Sequence, residues 1–325
     1  MDLTRDRPIG KEEKQRRQKA LNEFADWVWG TFAASLEKVF SLGAPAVNEV
    51  LVQYAQAKYQ AGKPLGSLRQ AVLAVVDEQR DWRWRMGKAW DAVRVWQDLV
   101  PTFHHRPMPQ QLLLAMACLA LCWEWDDVAL ILLVGFAAML RRGEAMALRV
   151  RNFIFGDWHL ALEALRGVFF VQIESPKMRR KGARLEHVRL CEAGLAKFAK
   201  VLLQGRETND LILGVAASVA TKLFLTLATF FGVSTVDGCG VSWASLRGGG
   251  ATHRYLIGQL LDDIRWDGRW GVFKTLDHYI QEVAAVTLLT ELPRGSQERI
   301  RLFAGMAPDM LSAAIHRLQR RQASP

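Results

Sequence analysis

The chain's hydrophobic positions recur at three- and four-residue steps over most of its length, the signature of amphipathic helices. From about residue 11 to 98 the pattern is helical throughout: LNEFADWVWGTFAASLEKVFSL (21–42), APAVNEVLVQYAQAKYQAG (44–62) and SLRQAVLAVVDEQRDW (67–82) carry it, with Gly and Pro between them. The segment PTFHHRPMP (101–109) has three prolines and no periodicity, so it reads as a linker. Two apolar runs follow, LLLAMACLALCW (112–123) and VALILLVGFAAML (128–140), separated by Glu124, Asp126 and Asp127. Both fall short of the ~18 residues that span a bilayer, so they predict two buried core helices and no membrane partner. A period-2 stretch, GVFFVQIE (167–174), and its partner LEHVRL (185–190) predict a β-hairpin. Beyond residue 192 the pattern is helical again, with a glycine-rich break at VDGCG (236–240).

The expected fold is therefore mainly α with a small β-sheet. A helical domain occupies 11–98, a linker 99–107, an α+β domain 108–290 and a helical C-terminal tail 291–325. The stretch 306–322 places Met310, Leu311, Ala314, Ile315 and Leu318 on one side of a helix. That side either packs into its own domain or docks on a neighbouring copy.

The chain has 325 residues, half of them apolar, enough for two domains with real cores. Its 43 basic and 33 acidic residues leave a net charge of +10. That balance fits an anionic partner such as nucleic acid, and equally a solubilising surface. The four cysteines form no CxxC pair, no disulfide ladder and no metal set, and a reducing interior is the expected setting. The charged start, with five lysines and arginines between Lys11 and Lys19, shows no secretory signal.

Charge concentrates at the hairpin tip, where Lys177, Arg179, Arg180, Lys181 and Arg184 occur with no acid between. Such a tip is either a solvated turn or an element that reaches DNA phosphates. In MLRRGEAMAL (139–148), Arg141 and Glu144 stand three apart, so the acid can orient the arginine. In SWASLRGGGATHRYLIG (242–258), Arg247 precedes three glycines, an odd opening for a helix that implies a close backbone approach or a movement. In WGVFKTLDHYI (270–280), Tyr279 borders a stripe of Leu276, Ile280 and Val283, so on local pattern it is a packing residue on the first turns of a helix.

Taken in order, RxGE on an apolar helix, a lysine on a hairpin, LR followed by ATH, and Trp and Tyr nine apart resemble the tyrosine recombinases, the phage-integrase class. The resemblance spans roughly residues 20 to 285. It implies a core-binding-like N-terminal domain and a catalytic domain from about 107, closing as a C-shaped clamp on double-stranded DNA, with a homotetramer on the DNA, no cofactor, no metal, and an intracellular, DNA-containing compartment. It implies that Arg141 and Arg247 clamp the scissile phosphate and that Glu144 holds the first arginine. Lys177, or Lys181 in another hairpin register, would protonate the departing 5′ oxygen. Trp270 would donate its indole N–H to the phosphate, and Tyr279 would attack the phosphorus to give a 3′-phosphotyrosyl link. Arg179, Arg180, Lys181 and Arg184 would bind DNA, and His253 would be structural.

The chain departs from the family pattern in three places. Ala244 stands where a histidine or lysine is usual. Arg269 replaces the usual glycine before the His/Trp position and could lend the site charge. GDWHLALEALRG (156–167) reads as an insertion. Loss of a general acid–base group typically costs ~10²–10⁴-fold in rate. Three functions thus stand open: an active strand-exchange enzyme of mobile-element type, a DNA-binding descendant that no longer cleaves, and a type IB topoisomerase-like enzyme.

Overall fold

The computed structural model describes residues 10–100, 106–155, 168–174, 185–233 and 240–323. The basic hairpin tip, the 156–167 segment and most of VDGCG lie outside them. The chain divides into two compact units, Met1–Phe103 and His104–Pro325.

The first unit contains α1 (Lys11–Phe32), α2 (Leu36–Ser41), α3 (Ala44–Gln60), α4 (Leu65–Glu78) and α5 (Gly87–Leu99). The stop of α1 and the start of α2 have local causes. Ala33 adopts a left-handed conformation after α1, and the Ser35 hydroxyl caps α2 by accepting from the Lys38 N–H. The apolar stripes converge on a core of Phe24, Val47, Leu51, Tyr54, Leu68, Val72 and Val93. One polar residue enters it. Asn48 donates to the Arg85 carbonyl and accepts from the Ala89 N–H, so its amide is satisfied and fixes the entry to α5.

The second unit contains α6 (Gln110–Cys122), α7 (Asp126–Ala137), α8 (Arg142–Met146), β1 (Phe153–Phe155), β2 (Phe169–Ile173), β3 (Glu186–Leu190), α9 (Ala193–Leu203), α10 (Ala217–Phe230), α11 (Ser245–Leu256), α12 (Leu261–Asp267), α13 (Phe273–Asp277), α14 (Glu282–Thr290) and α15 (Arg294–Ala323). The two apolar runs form α6 and α7, buried on nearly all sides at the centre of the core. The sheet has the order β1-β2-β3 and is antiparallel throughout, with Val171 opposite both Phe153 and Val188. Phe169, Val171 and Ile173 face the core, as the period-2 pattern requires. Strand β1 is too short to carry a sequence signal of its own.

The C-terminal helix α15 packs along α6 and α9 of its own unit. Ala314 and Ile315 are fully buried, and Met310, Leu311 and Leu318 are part-buried on the same core. Arg317 pairs with Asp126 and Arg321 with Glu124, locking the helix at the α6–α7 turn. The apolar side of 306–322 is therefore occupied within the chain, the first of the two roles the sequence left open.

Two of the three glycines of α11 also have an intramolecular explanation. A Cβ on Gly249 would stand 2.3 Å from the Met108 carbonyl oxygen, and one on Gly250 would stand 2.2 Å from that of Phe136. Only glycine lets α11 lie this close to α7 and to the chain entering α6. That contact delivers Arg247, one turn earlier, to the heart of the unit.

Candidate functional site

Arg141, Arg247 and Tyr279 come together at one cavity of about 400 Å³, lined also by Arg142, Ala244, Gly248, Thr275, His278 and Gln281. Each arrives by a different route.

Arg141 does not lie on a helix. It is the residue before α8, in extended conformation, after a tight turn in which Met139 has φ +48°. Glu144 reaches back to accept from the Arg141 backbone N–H at 2.9 Å and from its Nη1 at 2.6 Å. The spacing of three thus works as an N-terminal cap that also aims the side chain.

Arg247 is only 2% exposed. Its Nη1 donates to the Met139 carbonyl at 2.5 Å and its Nη2 to the Gly268 carbonyl at 2.6 Å. The Nε is buried without a partner, and no carboxylate lies within ion-pair distance among the described residues. Burial, with Arg141 and Arg269 nearby, brings its pKa down to about 9, so the group is still cationic at neutral pH. A buried cation without a counter-ion is unfavourable unless something else answers its charge.

Trp270 stands behind these two residues and is not part of the cavity wall. The Arg247 guanidinium lies 4.2 Å from the Trp270 ring centre and 5.3 Å from that of Tyr279, and the two rings are 5.1 Å apart. The indole Nε1 is buried without a hydrogen-bond partner among the described residues. Gly268 makes room for the ring, since a Cβ there would fall 1.6 Å from a Trp270 ring atom.

Tyr279 does not continue a helix. The stripe expected through Leu276, Ile280 and Val283 breaks: α13 ends at Asp277, α14 begins at Glu282, and Val283 is 75% exposed. Tyr279 occupies the turn between them, half-buried against Trp270 and Leu276. Thr252 of α11 fixes this turn, donating from its hydroxyl to the Tyr279 carbonyl at 3.0 Å and accepting from the Gln281 N–H at 3.2 Å. A continuous helix would have locked the ring onto the core, whereas the turn leaves it at the cavity edge.

Ala244 occupies the N-cap position of α11 without a side-chain capping bond, and lines the same wall. His253, on the other side of α11, lies 5.8 Å from the Phe136 ring, and burial together with Arg254 lowers its pKa. Lys177, Arg179, Arg180, Lys181 and Arg184 fall outside the described residues. A larger, mostly apolar cavity of about 890 Å³, lined by Leu113, Phe136, Leu195, His253 and Leu311 among others, shares no residue with the first. Its charged walls include Arg254 and Asp267, already paired with each other.

Sequence reasoning passed over two residues here. Arg142 and His278 carry no signal beyond adjacency to Arg141 and Tyr279. Arg269 drew notice as a replacement for glycine, and its backbone explains why glycine suits the place, since its φ is +59°. Its side chain is directed away from solvent, to Glu144 at 2.8 Å, rather than offered to the cavity as extra charge.

No family model matches the chain, and no curated protein does. Solved structures do share its fold. A crystal structure of the XerH site-specific recombinase bound to a palindromic difH substrate, a post-cleavage complex, aligns with TM-score 0.54 at 15% identity over 83% of this chain and 76% of that one. A pre-cleavage complex of XerH with its difH substrate aligns with TM-score 0.50 at 15% identity over 84% and 76%. At that identity the likeness is one of architecture: a mainly helical chain with a small antiparallel sheet, in the tyrosine-recombinase fold.

Proposed function

We propose that the chain is a site-specific recombinase that breaks and rejoins double-stranded DNA through a phosphotyrosyl intermediate on Tyr279. The observation that carries this reading is Arg247, a buried guanidinium with no carboxylate partner among the described residues, at a cavity shared with Arg141 and a tyrosine. A phosphodiester is the anion such a pair of forks suits, because each guanidinium can donate twice to the non-bridging oxygens. Arg247 spends two of its five N–H groups on carbonyls and keeps the rest for that purpose. The fold shared with DNA-bound recombinases adds support.

In this reading the Tyr279 oxygen gives up its proton to water and attacks the scissile phosphorus. The bond to the 5′ oxygen breaks, and a hairpin lysine, Lys177 or Lys181, supplies that oxygen's proton. The 3′-phosphotyrosyl link conserves the bond, so a 5′ hydroxyl of another strand can reverse the step without ATP. A phenol with a pKa near ~10 needs a positive field to act at neutral pH, and the two arginines provide it. They also stabilise charge in the transition state, a role worth ~10³–10⁵ in rate for arginines of other phosphoryl-transfer enzymes. Trp270 supports Arg247 and Tyr279 from behind, and its unpartnered N–H is available to the phosphate after a small shift of the ring. Residues 11–98 act as the core-binding domain and 108–290 as the catalytic domain, in a tetramer on DNA, whether for integration or for excision.

Ala244 favours one second reading. With a methyl group where the reaction wants a proton carrier, the chain is a weakened recombinase or a DNA-binding descendant. A nicked suicide substrate built on the authentic site decides: a covalent adduct in wild type supports the enzyme, and an adduct only after Ala244→His supports the weakened form.

A further inference from the structure

The side chain of Arg269 is 6% exposed, as is that of Glu144, and the pair lies immediately behind Arg141. Arg269 Nη2 donates to Glu144 Oε2 at 2.8 Å, while Glu144 Oε1 takes Arg141 Nη1 at 2.6 Å. One carboxylate thus bridges two arginines, each on its own oxygen. The same guanidinium reaches the turn just before Arg141, with Nη1 3.3 Å from the Ala138 carbonyl and Nη2, also bonded to Glu144, 3.4 Å from that of Met139. On its far side, Nε faces Glu186 Oε2, the first residue of β3, at 3.1 Å. Neither of those two atoms has hydrogen-bond alignment, so that contact is Coulombic.

Charge follows the same geometry. Burial pushes the Glu144 carboxyl up, but Arg269 and then Arg141 outweigh it and hold the group below the usual carboxylate range. The backbone makes the choice of residue pointed. Arg269 occupies the left-handed region, where a non-glycine side chain is strained, so the arginine is kept against the local preference.

We propose that Arg269 is a positioning residue, which fixes Glu144 and through it the Arg141 guanidinium at the cavity, and which ties that cluster to strand β3. The inference rests on the phosphodiester reading for its consequence, and on geometry alone for its existence. Without Arg269, Glu144 keeps only its two bonds to Arg141, from the backbone N–H and from Nη1, and loses the contact that ties it to the rest of the unit. The Arg141 fork is then held at one end and loses the orientation that a bidentate anion contact needs. A misplacement of about 1 Å costs on the order of a hundredfold in rate.

The test uses the full chain, wild type and with Arg269→Gly, Arg269→Lys and Glu186→Gln. Two readouts are followed: the restricted guanidinium signals of Arg141 in ¹⁵N-arginine-labelled protein, assigned with Arg141→Lys, and the rate of adduct formation on a nicked authentic site. Glycine relieves the backbone strain at 269, whereas loss of the buried ion pair lowers the thermal midpoint, so Arg269→Gly is expected to stay folded at the assay temperature while the Arg141 signals lose their restriction and adduct formation slows about a hundredfold. Lysine keeps the charge but cannot fork to Glu144 and the carbonyls together, so Arg269→Lys recovers part of both. Glu186→Gln gives a smaller loss of the same kind. Unchanged Arg141 signals in Arg269→Gly overturn the proposal, as does a loss of order that merely tracks a fall in thermal midpoint across the three variants. If Arg269→Gly does not fold, Arg269→Lys decides on the same signals. A wild type that forms no adduct while its Arg141 order depends on Arg269 supports the positioning role and counts against the tyrosine reading alone.

Discussion

The Arg247 guanidinium lies 4.2 Å from the centre of the Trp270 ring, and each of the two residues buries the other. A cation on an indole face, held by two backbone carbonyls, is a rigid support for whatever anion enters the cavity. The core of the second unit and its site are therefore one structure, and changes to either are felt by both.

Trp270→Ala removes the larger partner of this pair. Loss of a buried tryptophan costs about 3–5 kcal/mol, so urea unfolding of the second unit should shift by about that much. Trp270→Phe keeps most of the surface under Arg247 and should lose less than half as much. Equal losses in the two variants would mean that the ring does not support Arg247.

Gly268→Ala tests the same support from beneath. The added methyl meets the Trp270 ring at 1.6 Å and forces it to move. Overpacking of this kind costs about 1–3 kcal/mol, and here it also withdraws the Gly268 carbonyl from Arg247. Stability and DNA cleavage should fall together, and an alanine variant as stable as wild type would show that the ring is not held in this place.

How much of this was legible in the chain depends on how local each cause is. The apolar runs of α6 and α7, the period-2 pattern of β2 and β3, and the grouping of Arg141 with Glu144 are written in nearest-neighbour spacing. The break at Tyr279 is not. Leu276, Ile280 and Val283 carry a helical period, yet the chain turns because Thr252, on a distant helix, takes both the Tyr279 carbonyl and the Gln281 N–H. Tertiary hydrogen bonds overrode the pattern. Arg269 was visible as an odd residue, but its partners Glu144 and Glu186 are set by the fold, so its role could not be read from order along the chain. The approach at Gly249 and Gly250 was foreseen, whereas its source, the protein's own backbone at Met108 and Phe136, was not.

His253 makes stability depend on pH. Burial, helped by Arg254, lowers its folded pKa below the ordinary 6.5, so the unfolded chain binds the proton first. Stability should therefore be full above that ordinary value and decline as pH falls through it, levelling once the folded pKa is passed. His253→Gln removes this slope between pH 7.5 and 5.5. A variant with the wild-type slope would assign the pH dependence to another group.

The basic hairpin residues make a binding prediction from the sequence alone. Each lysine or arginine at a phosphate contributes roughly −0.9 to the slope of log affinity against log salt. Alanine at Arg179, Arg180 and Lys181 should weaken duplex binding and flatten that slope by up to about 3. An unchanged slope would mark the tip as a solvated turn.

The central claim is that Tyr279 is the nucleophile, and one substitution addresses it most directly. Tyr279→Phe removes a single oxygen and leaves the ring on Trp270 in place. On a nicked duplex carrying the authentic target, taken from the DNA flanking the gene, wild type or Ala244→His should form a covalent protein–DNA adduct resistant to denaturation. The Tyr279→Phe form of the same protein should bind the duplex equally well and form none. An adduct that persists at the parent yield in Tyr279→Phe would place the nucleophile elsewhere and contradict the account.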